Sequence, residues 1–251
     1  MHGYSSDYAE FYDNHVVPED RGDVPFYRTR ARTANGPVLE LACGTGRVHL
    51  PLLEDGVDAD GLDLSASALR RLYEKAAARG LTDRVSAWQA SMSALPTVRE
   101  YALVVCPFDG FLHLLTTEAQ LHVLRSVYEI LSDGGAFVFD VFVPDFDHIE
   151  RVYGEWDSRT AEFRGRPHTV RTRTAVENKV EQVFINEIEV IDDGDGRRFD
   201  QALRLKMLPP REIELLARLS PFDEWEATGE FEARDLRPDD DVQTWTLRKR
   251  P

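Results

Sequence analysis

The tightest constraint in this chain is an apolar run that stops abruptly at glycines. Pro37 to Ala42 reads as a short buried strand, and Cys43-Gly44-Thr45-Gly46 turns it into a helical stretch from Arg47 to Glu54. Glycines at such a turn give the backbone conformations that a Cβ would block and let it approach a ligand closely. The pattern then repeats. Val57 to Leu64 is a second strand and turn, and Ala66 to Arg79 a helix capped at Ser65 and ended by Gly80. Val85 to Ala90, Tyr101 to Pro107 and Ala136 to Val143 give three more strands, with a helix from Thr117 to Ser132 before the last. Strands rich in Val, Leu and Ala that alternate with helices predict a parallel sheet covered on both faces.

After about Pro144 the apolar pattern changes to period two. Val180 to Val190 alternates, the polar turn Asp192-Asp193-Gly194-Asp195-Gly196 follows, and Phe199 to Met207 alternates again. With Thr169 to Val176 this predicts three antiparallel strands. A helix from Pro210 to Leu219 starts on proline, where a missing N–H does no harm. Two last strands lie near Asp223 to Phe231 and Val242 to Lys249, with Arg234 to Asp241 as a charged loop.

Charge and cysteine content narrow the function classes. The formal net charge is −15 over 251 residues, whereas a grip on DNA or RNA concentrates Lys and Arg to displace counterions. A nucleic-acid partner is therefore not expected. The two cysteines, Cys43 and Cys106, end apolar runs and make no Cys-x-x-Cys pair, so they read as small buried residues and no metal site is expected. No window approaches the ~20 apolar residues of a membrane span, and Met1 to Asp7 lacks the basic and apolar regions of a secretory signal. A soluble, cytoplasmic protein is the expectation.

The turn itself limits the ligand. A dinucleotide site prefers Gly-x-Gly-x-x-Gly, with the pyrophosphate on the helix N-terminus. Here the third glycine is replaced by His49, and Glu40 sits just ahead of the turn, where a carboxylate repels pyrophosphate and suits a cationic ligand. Asp63 ends the next strand, where it can accept from both hydroxyls of a ribose or, alternatively, cap the following helix in competition with Ser65.

Three segments in order resemble the class I S-adenosylmethionine-dependent methyltransferases over roughly residues 37 to 143: Val38 to Gly46, Gly61-Leu62-Asp63-Leu64-Ser65, and Leu131-Ser132-Asp133-Gly134-Gly135 ahead of a strand. The resemblance extends to small-molecule enzymes of the amino-sugar N-methyltransferase type. It implies one α/β domain over residues 1–251, with a Rossmann-like, doubly wound, mostly parallel seven-stranded sheet and an antiparallel β insertion at 165–208 before the last helix. It also implies that residues 1–36 form a helical cap over the cofactor, and that the insertion covers the acceptor pocket or forms a homodimer surface.

S-adenosyl-L-methionine is the implied cofactor, held by Glu40, Ala42, Gly44, Gly46, Asp63 and Leu64. Where the family commonly has an acid beside the adenine, this chain has Ser91, followed by Met92 for the ring face. Pro107 lies between cofactor and acceptor. His113 is the candidate general base, since its ordinary pKa lies near neutrality; a satisfied core histidine is the alternative. Tyr12, taken with His113 as catalytic, and Tyr27, taken as cofactor-binding, are candidates to touch the methionine moiety or the acceptor, or else to pack into the sheet. The expected reaction is methyl transfer to an N or O nucleophile of a small molecule. The other readings are a non-catalytic cofactor-binding subunit, an RNA methyltransferase and a nicotinamide oxidoreductase, the last opposed by Glu40 and His49. Arg171, Arg173, Arg204 and Phe184 are candidates to line the acceptor pocket.

Overall fold

The computed structural model describes residues 4–16, 21–96 and 98–251. The N-terminal segment expected as a cap thus falls outside the described residues at 1–3 and 17–20. In chain order the elements are α1 (Ser6–His15), α2 (Asp23–Thr33), β1 (Val38–Leu41), α3 (His49–Glu54), β2 (Ala59–Asp63), α4 (Ala66–Ala78), β3 (Ser86–Gln89), β4 (Tyr101–Cys106), a 3-10 turn (Gly110–His113), α5 (Thr117–Ile130) and β5 (Leu131–Phe142). There follow α6 (Phe146–Val152), β6 (Asp157–Phe163), β7 (Arg166–Asn178), β8 (Val183–Asp192), β9 (Arg198–Lys206), α7 (Pro210–Leu219), β10 (Glu224–Gly229) and β11 (Val242–Arg248).

Seven strands form one sheet in the order β10-β11-β5-β4-β1-β2-β3. β1 pairs in parallel with β2 on one side (Val38 opposite Ala59) and β4 on the other (Val38 opposite Leu103). β11 runs antiparallel to both its neighbours. The strand order therefore reverses at β1/β4, and a doubly wound sheet opens a crevice at the carboxyl ends of the strands where its order reverses. The strands are apolar on both faces because helices cover both. Val104, Phe137, Phe139 and Trp245 pack with Val123, Val127, Ile213 and Leu216 on one side, and Val38, Val105 and Val138 with Tyr27, Leu52 and Ala76 on the other.

The second sheet is antiparallel, in the order β6-β7-β8-β9, and so has four strands where three are expected. The missed strand, β6, is an edge that exposes all but Ala161 and Phe163, so its sequence carries almost no apolar signal. α6 buries none of its side chains and was invisible for the same reason. β5 starts at Leu131 rather than Ala136, because Leu131 already pairs with Tyr101 before the register shifts across Ser132 to Gly135. α5 accordingly ends at Ile130.

α1 bridges the two sheets. Ser5 caps it, accepting from the Tyr8 backbone N–H. Its Phe11 side chain is fully buried in a cluster with Phe163, Val170 and Val190 of the small sheet, an anchor whose truncation would cost about 3–5 kcal/mol. Tyr8 and Tyr12 of the same helix line the crevice.

Candidate active site

The crevice holds a cavity of about 380 Å³, within the range of small-molecule sites. Its floor is the turn after β1. Ala42 and Gly44 both have φ +55°, a left-handed geometry that folds the backbone back and leaves Gly44 lining the space. Gly46 (φ +86°) does not line it. A Cβ there would lie 3.0 Å from both Leu50 and Leu72, so this glycine is required by packing against α3 and α4.

Two carboxylates line the cavity. Glu40 is 2% exposed, and its Oε2 has no hydrogen-bond partner among the described residues. Burial raises its pKa, and the nearby His49 opposes that rise. His49 Nδ1 lies 3.4 Å from Glu40 Oε2, so the residue read only as a missing glycine stands beside the acid. Gly61 makes the room, since a Cβ there would come 3.2 Å from the His49 ring. Asp63 is fixed by backbone donors, with the Gly44 N–H 2.9 Å from Oδ2 and the Ser65 N–H 2.7 Å from Oδ1. Ser65 is the cap of α4, accepting from the Ala68 N–H, which settles the competition between the two residues. Each Asp63 oxygen keeps a second lone pair for a ligand hydroxyl.

Leu64, Ser91, Met92 and Pro107 also line this cavity. The Ser91 hydroxyl accepts from the Ser93 N–H, which holds the turn after β3. Tyr12 and His113 line it too, and both extend into a second cavity of about 320 Å³ between α1, the loop after β4 and the inner face of the small sheet. The two cavities share Tyr4, Tyr12, Phe108, His113 and Leu203 as a common wall. Burial lowers the His113 pKa, opposed by a hydrogen bond to the Arg204 backbone. Its Nδ1 has no partner among the described residues, so the tautomer that donates from Nε2 leaves Nδ1 as an acceptor.

Tyr27 is elsewhere. It is wholly buried, and its hydroxyl donates to Asp140 Oδ1 at 2.6 Å. The expectation that it touches a ligand is therefore corrected: its polar end is spent on a carboxylate beneath the site. Asp140, at the end of β5, also accepts from the Phe108 N–H (2.9 Å) and from Arg21 (2.5 Å). Arg47, in the glycine turn, is held by Asp23 of α2 through bonds of 2.8 and 2.5 Å. Arg21 and Arg47 both lie over the Phe108 ring, at 4.5 and 5.0 Å from its centre. Nothing in the sequence joined these groups, because the pairs Arg21–Asp140 and Tyr27–Asp140 span more than a hundred residues.

Of the arginines proposed for an acceptor pocket, Arg173 lines the second cavity, paired with Glu187. Arg171 pairs with Glu189 and lies over Trp156, Arg204 pairs with Glu177, and Phe184 is buried against Phe142. None of these three lines either cavity. Among the described residues no group of three or more His, Cys, Asp or Glu is placed to hold a metal ion. No helix among them is long and apolar enough to cross a membrane.

Residues 38–135 match the family model of a methyltransferase domain. A Bacillus subtilis protein named as a putative methyltransferase, YqeM, is 31% identical over 114 residues, 42% of each chain; the chain spans less than half the length of the curated relatives it matches first. The CcbJ methyltransferase of Streptomyces caelestis is 25% identical, with a TM-score of 0.78 over 99% of this chain and 100% of that one. The sugar N-methyltransferase KedS8 of a Streptoalloteichus species is 20% identical, with a TM-score of 0.74 over 100% and 96%. Residues 38–135 thus resemble a methyltransferase domain, and the chain as a whole has the class I S-adenosylmethionine-dependent methyltransferase fold.

Proposed function

We propose that this chain transfers the methyl group of S-adenosyl-L-methionine to a nitrogen or oxygen nucleophile of a small molecule. The observation that carries this reading is the pair of adjoining cavities that share His113 and Tyr12. The first, with two carboxylates and a backbone turn, suits a cationic nucleoside. The second ends on a wall where an acceptor meets it. When bound, the cofactor supplies a methyl group on a positively charged sulfur that leaves as a neutral thioether.

The residues fit that group. Glu40, buried with an unsatisfied oxygen, offers a carboxylate to the positively charged amino-acid end. Asp63, held by two N–H groups, accepts from the ribose diol. Ala42 and Gly44 let the backbone come close, and Ser91 and Met92 stand where the base would lie. What remains for the protein is to align the nucleophile and exclude water. Tyr4, Tyr8 and Tyr12 of the N-terminal segment pack on one another and line the crevice. His113 takes at Nδ1 the proton the nucleophile gives up. The small sheet supplies the outer wall of the acceptor cavity through Thr172, Asn186 and Gln201.

A non-catalytic cofactor-binding subunit would have its space beside Pro107 to His113 filled; here that space is open on both sides of His113. The test is thermal-shift binding of S-adenosylhomocysteine, followed by a small-molecule acceptor screen that reads its release from S-adenosylmethionine. Stabilisation with turnover supports the proposal. Stabilisation with no turnover on any amine or alcohol of a broad screen would return the subunit reading.

A further inference from the structure

We propose that Asp109 is the specificity-determining residue for the acceptor, its carboxylate receiving the amine of a small molecule in the second cavity as the ammonium, which gives one proton to His113 Nδ1 before its freed lone pair takes the methyl group. This rests on the methyltransferase reading above and narrows it from N or O to an amine.

Five charged groups meet where the loop after β4 joins α2: the carboxylates of Asp23, Asp109 and Asp140, and the guanidiniums of Arg21 and Arg47. Arg47 is taken by Asp23 in a two-bond pair. Arg21 is taken by Asp140 at 2.5 Å, with Asp23 at 3.5 Å on its other side. Asp109 has no ion-pair partner within 4 Å among the described residues, so the cluster carries one uncompensated negative charge. That charge lines the second cavity and not the first. The other charged side chains on the second cavity, Arg173 and Glu187, neutralise each other.

The backbone is bent to put the carboxylate there. Phe108 and Asp109 are both left-handed, with φ +54° and +60°, a conformation that costs a side-chain-bearing residue free energy and that clusters at functional sites. Asp109 Oδ1 accepts from the Phe142 N–H at 2.8 Å, which fixes the orientation, while no protein donor is assigned to Oδ2. Burial pushes the carboxyl pKa up to about 6, opposed by Arg21 and supported by Asp140 and Asp23. A cation in the cavity removes that penalty; a neutral alcohol does not. Thr172, Thr174, Asn186 and Gln201 give the cavity neutral polar edges, and Val16, Ile188, Leu203 and Leu205 beside the tyrosines give it apolar ones, so the amine stands on a compact body of mixed polarity.

The test is calorimetry on the full chain saturated with S-adenosylhomocysteine, using matched pairs at pH 7.5: glucosamine and glucose, benzylamine and benzyl alcohol. At least one amine should bind about tenfold or more tighter than its alcohol, the size of one charge-assisted hydrogen bond. Asp109→Asn keeps an oxygen for the Phe142 N–H, so it should retain S-adenosylhomocysteine affinity and lose the amine preference. Equal binding within every pair, no binding of any amine, or a preference that survives Asp109→Asn would overturn the assignment. The wild-type preference alone decides if the variant does not fold. Failure of S-adenosylhomocysteine to bind wild type would strike the methyltransferase reading instead.

Discussion

Asp63 keeps its carboxylate aimed into the crevice because two backbone N–H groups hold it and Ser65 relieves it of capping α4. Asp63→Ala should weaken S-adenosylhomocysteine by ~2–4 kcal/mol, the loss of a charge-assisted pair of bonds; isothermal calorimetry reads it directly. His113 is held neutral by burial, which lowers its pKa. His113→Ala should reduce kcat by about 100-fold or more if the imidazole takes the proton, with the cofactor Kd unchanged. Because the neutral form persists below the ordinary histidine value, kcat of the wild type should hold as pH falls from 8 towards 6.5. A fall across that range, or a variant with full turnover, would remove His113 from the proton path. Asp109 gives a linked stability test. Its folded pKa of about 6 lies above the ordinary aspartate value of 3.8, so the native state binds the extra proton and stability falls as pH rises between those values. The cost is complete above about pH 6 and absent below about pH 4. Asp109→Asn should therefore raise stability by about 1–2 kcal/mol at pH 7.5, after solvent screening, and by nothing at pH 3.5, measured by urea unfolding.

At the scale of elements, α1 is tied to the glycine turn by one residue. Asp13 accepts from Thr45 Oγ1 at 2.6 Å, Lys75 Nζ at 2.6 Å and Arg71 Nε at 3.0 Å, so helix, turn and α4 meet at a single carboxylate. Asp13→Ala should loosen α1 and weaken cofactor binding by about 1–3 kcal/mol, the cost of leaving buried donors unpaired. Hydrogen exchange should quicken in residues 6–15 while the β1 and β4 amides stay protected; unchanged exchange in α1 would contradict the latch. None of this was legible in the sequence, where Asp13 is one acid among many. What was legible depended on local signals. The strand, glycine and helix periods placed β1 to β4, and Glu40, Asp63 and Ser91 stand at strand ends, where sequence position alone locates a side chain. The edge strand β6 and the solvent-facing α6 carried no apolar period. Tyr27 was misplaced because an aromatic residue on a short helix does not reveal which face it turns, and the partner that buries its hydroxyl, Asp140, lies 113 residues away.

For the molecule as a whole, the seven-stranded sheet opens a crevice at β1/β4, and the small antiparallel sheet and α1 divide that crevice into two joined cavities. A cofactor cavity alone would serve a binding module; the second cavity, meeting the first at His113, gives an acceptor a place to lie. Beside that junction one carboxylate more than the arginines can match, Asp109, faces the acceptor space. We propose that the first cavity takes S-adenosylmethionine rather than a dinucleotide. Isothermal calorimetry of the full chain with S-adenosylhomocysteine and, separately, NAD tests it most directly. Saturable one-site binding of S-adenosylhomocysteine, weakened in Asp63→Ala, and no heat from NAD are expected; NAD binding, or S-adenosylhomocysteine binding untouched by Asp63→Ala, would overturn it.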